Sequence, residues 1–310
     1  MPPILFLLAG FVLLFFSGDW LVKSSVQLAR HFKVSTLVIG VTVVAFGTSA
    51  PELLVSLRAV FDGAADISVG NVVGSNIANI ALVLGLVSIV YPVKVKKKAV
   101  WLDWLVMMVA TVGLMVTSKD LILKSFEGII FLTLLGLYLV WAIFSSRKQS
   151  KAQEQIETPS MALWKALVLF AFAAAGLYFG ADWLVIGAKD IAINLGVSER
   201  VIGISVVALG TSVPELATSL VAAIKKESDI SIGNIIGSNI FNIWAVLGVT
   251  SVIKPVNVNP SMVNTDYWWM FAIAILLFIT ILPLSKGIVS RWKGVILLSV
   301  YVLYIYLLFV

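Results

Sequence analysis

The hexapeptide Gly47-Thr48-Ser49-Ala50-Pro51-Glu52, embedded in apolar sequence, returns 163 residues later as Gly210-Thr211-Ser212-Val213-Pro214-Glu215. Working outward, Val38 to Leu53 and Val201 to Leu216 agree at 12 of 16 positions. The same offset carries Gly70-Asn71 and Gly74-Ser75-Asn76-Ile77-Ala78-Asn79 onto Gly233-Asn234 and Gly237-Ser238-Asn239-Ile240-Phe241-Asn242. It also carries Asp19-Trp20-Leu21-Val22 onto Asp182-Trp183-Leu184-Val185. No gap is needed, so about half the chain is an internal duplicate. What is duplicated is glycines, a proline, hydroxyls, amides and a carboxylate. In an apolar medium such polar groups are costly unless something uses them, which makes them the candidate functional centre.

The medium is a bilayer. Hydrophobic residues make up 60% of the chain, charged residues 12%, and the mean hydropathy is +1.06. A soluble domain carries about 25% charged residues. The opening apolar run, Ile4 to Phe16, flows into Gly18-Asp19-Trp20 and more apolar sequence, so it reads as a retained span and not a cleaved leader. Zero cysteines exclude disulfides and thiolate metal sites. The single histidine, His31, argues against a zinc site or a histidine relay and is expected at an ordinary helix end.

Apolar stretches long enough to span number ten, at about 3–30, 36–61, 66–90, 99–117, 124–144, 163–193, 199–224, 229–253, 266–285 and 290–309. The long polar connection lies between spans five and six. Residues 1–144 are thus expected as a first five-helix repeat, 145–162 as a cytoplasmic linker, and 163–310 as a second repeat. Alternate loops on one face hold 16 of the 22 basic residues, including Lys94, Arg147, Lys225 and Lys293. Positive charge stays in the cytoplasm, which puts both termini outside, with a cell inner membrane the expected setting. The net charge of +6 is then a topology signal with attraction to anionic lipid, not a nucleic-acid footprint. Five spans per half is odd, so two copies of one fold must enter the membrane from opposite sides. The expected fold is an all-α membrane protein: ten transmembrane helices as two inverted repeats, with discontinuous helices at the midplane.

Pro51 removes an amide donor and Gly47 lets the chain bend, so span two is expected to break at 47–52 and to free carbonyls near Ala45. Span seven repeats this at 210–215, near Ala208. Ser75 and Asn79 share one helix face of span three, and Ser238 and Asn242 share one face of span eight. The candidate ligands are therefore the carboxylates of Glu52 and Glu215, the hydroxyls of Thr48, Ser49, Thr211, Ser212, Ser75 and Ser238, the amides of Asn79 and Asn242, and the carbonyls of Ala45 and Ala208. All are hard oxygens, which suit calcium and sodium. Two ionised carboxylates carry −2, neutralised by one calcium or two sodium ions. The glycines at 40, 70, 74, 203, 233 and 237 read as helix packing. Asn76 and Asn239 read as backbone support, Asp19 and Asp182 as structural caps or vestibule charges, and Asp103 as interfacial.

At these motifs the chain resembles the calcium/cation antiporter superfamily, in its sodium/calcium exchanger branch of prokaryotic type. The signatures are the segments at 47–52 and 70–79 with their copies at 210–215 and 233–242. The resemblance covers the whole ten-span layout. It implies electrogenic exchange of several sodium ions for one calcium, four central sites built from the twelve residues named above, and a sliding of spans one and six across the core. Some relatives carry Asp where this chain has Asn242, which weakens the case for potassium transport. The short linker leaves no room for a calcium-sensing domain. No resident cofactor, no obligatory protein partner and no enzyme activity are expected; calcium, sodium and the lipid bilayer are the partners. A proton-coupled calcium antiporter, another divalent cargo, and a passive cation channel remain the alternatives.

Overall fold

The computed structural model describes residues 2–63, 65–95, 97–152, 158–195, 210–281 and 287–309. Helix α1 is Pro3–Phe32, with a proline in its first turn, where the missing N–H is harmless. The second span is bent by 43° between α2, Thr36–Thr48, and α3, Ala50–Phe61. Then come α4 (Ile67–Val90), α5 (Val100–Asp120), α6 (Ser125–Lys148) and α7 (Leu163–Asn194). Helices α8 (Val213–Ile224), α9 (Ser228–Ile253), α10 (Met262–Ile281) and α11 (Arg291–Leu308) complete the chain. Among the described residues eight helices are long and apolar enough to cross a membrane, nine counting the bent pair. The expected span at 199–224 is described only from residue 210, so its first part lies outside the described residues.

Three features differ from the sequence expectation. The helix containing α6 runs on to Ala152, several residues into the stretch read as linker. Four two-residue strands are present: β1 Val93–Lys94, β2 Ile122–Leu123, β3 Val256–Asn257 and β4 Ile288–Val289. They pair antiparallel as β1 with β4 and β2 with β3, each pair joining the first half to the second. Finally, α2, α4, α9 and α10 contain wide π-helical turns at Gly40–Val44, Asn79–Leu84, Asn242–Leu247 and Met262–Asp266. Such turns are rare and concentrate at functional positions. Two of them begin at Asn79 and Asn242.

Helices α4 and α9 form the centre. In their apolar windows 78% and 83% of residues are buried, against 22–33% for the other single-helix spans. Helix α2 crosses α9 where only glycine fits: a Cβ on Gly233 would lie 2.8 Å from the Leu37 carbonyl oxygen, and one on Gly237 would lie 2.7 Å from Ala45 Cβ. These close approaches set the first half's broken helix directly against the second half's Gly-Ser-Asn segment.

The end of α1 is tied down from several directions. His31 Nε2 lies 2.7 Å from the Met161 carbonyl oxygen, Ser160 N donates to Gln27 Oε1 at 2.9 Å, and Arg147 Nε donates to the Phe32 carbonyl at 3.0 Å. Asp19 forms ion pairs with Lys23, at 3.1 Å, and with Lys225 just past α8. Lys225 occupies the repeat position of Asp62, and Lys23 that of Ile186. The repeat positions of these two lysines therefore offer Asp182 no basic partner.

Candidate functional site

The two breaks share one local geometry. Ser49 (φ −83°, ψ 4°) and Ser212 (φ −89°, ψ 0°) leave the helical region, and a proline follows two residues later in the first turn of α3 and α8. Pro51 has no N–H for the carbonyl four residues back, which is Gly47 and not Ala45. The Ala45 carbonyl keeps its helical partner: it accepts from Ser49 N at 2.9 Å, and Thr48 Oγ1 lies 3.4 Å from it. Any further ligand must use its remaining lone-pair capacity. Ala208 lies outside the described residues.

Beginning a helix after the break places Glu52 and Glu215 in its first turn, where unpaired backbone N–H groups favour negative charge. Both carboxylates are completely buried, as are Thr48, Ser238, Asn79 and Asn242; Ser49, Ser75 and Ser212 are nearly so. The two halves meet here. Ser49 Oγ, from the first, donates to Glu215 Oε1 at 3.4 Å, as does Ser238 Oγ. Thr48 Oγ1 donates to Asn234 Oδ1 at 2.9 Å and lies 3.3 Å from Ser238 Oγ. Ser75 Oγ and Thr211 Oγ1 are 3.5 Å apart.

Several buried polar atoms have no hydrogen-bond partner among the described residues. They include both oxygens of Glu52, Glu215 Oε2, Ser212 Oγ, Asn242 Oδ1, and both polar atoms of Asn79. All but one are oxygens. A buried carboxylate without a donor is costly, and no described hydrogen bond or ion pair joins Glu52 or Glu215 to a basic side chain. A hard cation is the chemistry that would satisfy this set.

A supporting layer was not singled out from sequence. Asn71 Nδ2 donates to Ser56 Oγ at 3.0 Å and to the Glu52 carbonyl at 3.3 Å. Its repeat partner Asn234 donates to Ser219 Oγ at 3.0 Å while accepting from Thr48. The signal was present, because offset 163 carries both the asparagine and the serine. The same offset relates Asp103 to Asp266. Asp103 is buried within the protein and accepts from Tyr138 at 2.8 Å; Asp266 accepts from Tyr304 at 3.1 Å. These pairs brace α5 on α6 and α10 on α11. Asp19, ion-paired with Lys23 and Lys225, is held by charge partners of its own rather than joined to the oxygen cluster.

The profile of the sodium/calcium exchanger protein family (Na_Ca_ex) matches residues 2–144 and 165–310. The chain belongs to this family. The putative antiporter CaxA of Alkalimonas amylolytica is 37% identical over 98% of both chains. The sodium/calcium exchanger MaX1 of Methanosarcina acetivorans is 30% identical, again over 98% of both. A solved structure of the sodium-calcium exchanger NCX_Mj, soaked with zero Na+ and Ca2+, superposes with TM-score 0.85 at 35% identity, covering 98% of each chain. This exchanger is therefore an all-α integral membrane protein of a transporter family, not an enzyme.

Proposed function

We propose that the exchanger moves sodium against calcium by alternating access at a midplane site, where two inverted halves, 1–144 and 163–310, face each other across the 145–162 connection. The observation that carries this reading is the pair of fully buried carboxylates, one from each half, surrounded by hydroxyl and amide oxygens and short of donors. Glu52, Glu215, Thr48, Ser49, Thr211, Ser212, Ser75, Ser238, Asn79 and Asn242, with the carbonyls of Ala45 and Ala208, are the proposed ligands. Sodium and calcium are the cargo, and the cycle uses no resident cofactor.

Inversion is supported by the strand pairing. β1 and β2 sit at opposite ends of α5, whose 21 residues span about 31 Å. β1 and β3 are repeat-related, and so are the positions of β2 and β4 before the last helix of each half. The operation carrying β1 onto β3 thus carries ribbon β1·β4 onto ribbon β3·β2 at the other end of α5. The 16-to-6 division of basic residues supports termini on the outer side of a cell inner membrane.

Coupling follows from charge. An ion-free site would take two bare carboxylates through a dry intermediate, at a cost of several kcal/mol. One calcium or two sodium ions neutralise them, so the two cations compete for one site and each licenses the crossing. The test is calcium uptake into reconstituted vesicles, with sodium, potassium and proton gradients varied separately. Uptake driven by sodium at constant pH supports the reading. Uptake driven by protons alone assigns a proton-coupled antiporter, and calcium conduction without a counter-ion gradient assigns a channel.

A further inference from the structure

Asn76 lies on α4 three residues before Asn79 and is 2% exposed. Its Nδ2 donates to the backbone carbonyl of Asn239 at 3.2 Å, and its Oδ1 accepts from Asn242 Nδ2 at 3.1 Å. The direction of this chain is fixed by its first link. A backbone carbonyl only accepts, so the amide of Asn76 must turn its NH2 toward Asn239 and its oxygen toward Asn242. Asn242 must then spend its NH2 on Asn76. Its Oδ1, buried and without a partner among the described residues, is left on the opposite edge of the amide.

The mirrored arrangement is not made. Asn239 Nδ2 donates to Ile235 of its own helix at 2.9 Å, and Asn239 Oδ1 has no partner among the described residues. Neither polar atom of Asn79 has one either. The duplicated amides Asn79 and Asn242 are thus unequal: only Asn242 is pre-oriented.

We infer that Asn76 is a positioning residue that fixes the amide of Asn242 with its oxygen toward the transported cation. The inference rests on the reading of Asn242 as an ion ligand. A flipped Asn242 would offer an NH2 group, whose partial positive charge repels a cation. Asn76 removes that flip through an anchor that cannot itself reverse. Pre-orientation of this kind lowers the ordering cost of binding.

The logic gives a test that separates orientation from general packing. In wild-type exchanger reconstituted in vesicles, Asn76→Leu is expected to raise the calcium KM about 10-fold, with the maximal rate changed less than about 2-fold. The calcium concentration needed for half-maximal thermal stabilisation in detergent should rise by the same factor. Asn239→Leu, which keeps the backbone carbonyl, should move both by less than about 2-fold. In an Asn242→Asp background both edges of the side chain are oxygens, so orientation no longer matters. There, adding Asn76→Leu should cost less than about 2-fold relative to Asn242→Asp alone. Equal penalties for Asn76→Leu and Asn239→Leu, or an undiminished penalty in the Asn242→Asp background, overturn the inference and leave Asn76 as packing. Should Asn76→Leu fail to fold, Asn76→Ala enters the same cycle. Wild type and Glu52→Gln run beside these variants. Absence of sodium-driven uptake in wild type, or its persistence in Glu52→Gln, defeats the exchange reading itself and the inference with it.

Discussion

Glu52 and Glu215 are copies of one residue, yet the folded chain treats them differently. Glu215 accepts from Ser49 and Ser238 through one oxygen, whereas neither oxygen of Glu52 meets a donor among the described residues. Ser49 is engaged with Glu215, while its copy Ser212 has a buried hydroxyl without a partner among the described residues. Duplication supplied equivalent chemistry, and folding spent it unequally. Glu215 is partly satisfied by the protein. On the proposed function, Glu52 depends on the cation for its compensation.

The largest effect should fall on both acids alike. Glu52→Gln and Glu215→Gln should each lower sodium-driven calcium flux at least 100-fold in vesicles, because removing one charge from a buried charged set costs about 3–5 kcal/mol. Near-normal flux in either variant would break the claim that both halves hold the ion. The comparison sharpens in ion-free buffer, where the order of stability should invert. Glu52→Gln removes a buried charge that no described residue compensates, and should raise stability by about 1–3 kcal/mol. Glu215→Gln should change it less. Thermal unfolding with a chelator measures both, and saturating calcium should stabilise wild type but not Glu52→Gln.

A smaller contrast is expected between the hydroxyls. Under the same ion-free conditions Ser49→Ala should cost about 1 kcal/mol, the net value of a hydrogen bond to a carboxylate at long range. Ser212→Ala should change stability by less than about 0.5 kcal/mol. Equal losses would erase the proposed asymmetry. The smallest effect concerns α1. The Asp19–Lys225 pair is partly exposed, so Lys225→Met should shift the conformational balance by no more than about 1 kcal/mol. Asp62→Asn, at the repeat position, should shift it less. Because the chain has no native cysteine, maleimide labelling of a single cysteine introduced at Gln27 reads this shift directly.

Much of this was legible in one dimension. A proline and an acid at a repeated position inside an apolar run are enough to mark a broken helix and its charge. The unequal roles of the copies were not, because a symmetric duplication carries no information about which hydroxyl turns to which acid. The π turns were hidden because Asn79 to Leu84 and Asn242 to Leu247 suit an α turn equally well in composition. The burial of Asp103 within the protein was not legible beside Trp101 and Trp104; its contact with Tyr138, 35 residues on, shows why it is buried. Which carbonyl Pro51 frees follows from the sequence itself: counting four residues back reaches Gly47. Strands two residues long leave no alternation to detect.

Those strands say something about ancestry. Each half contributes one strand to each ribbon, so a half standing alone would keep two bare edges, of the kind that invites pairing with another chain. A second copy of that half, related by a two-fold axis, would close both edges at once. On the proposed reading of two inverted halves, the seams of this molecule are those of a homodimer, and the residues between the halves join what separate subunits would otherwise assemble. Cutting there and coexpressing the pieces should rebuild the fold.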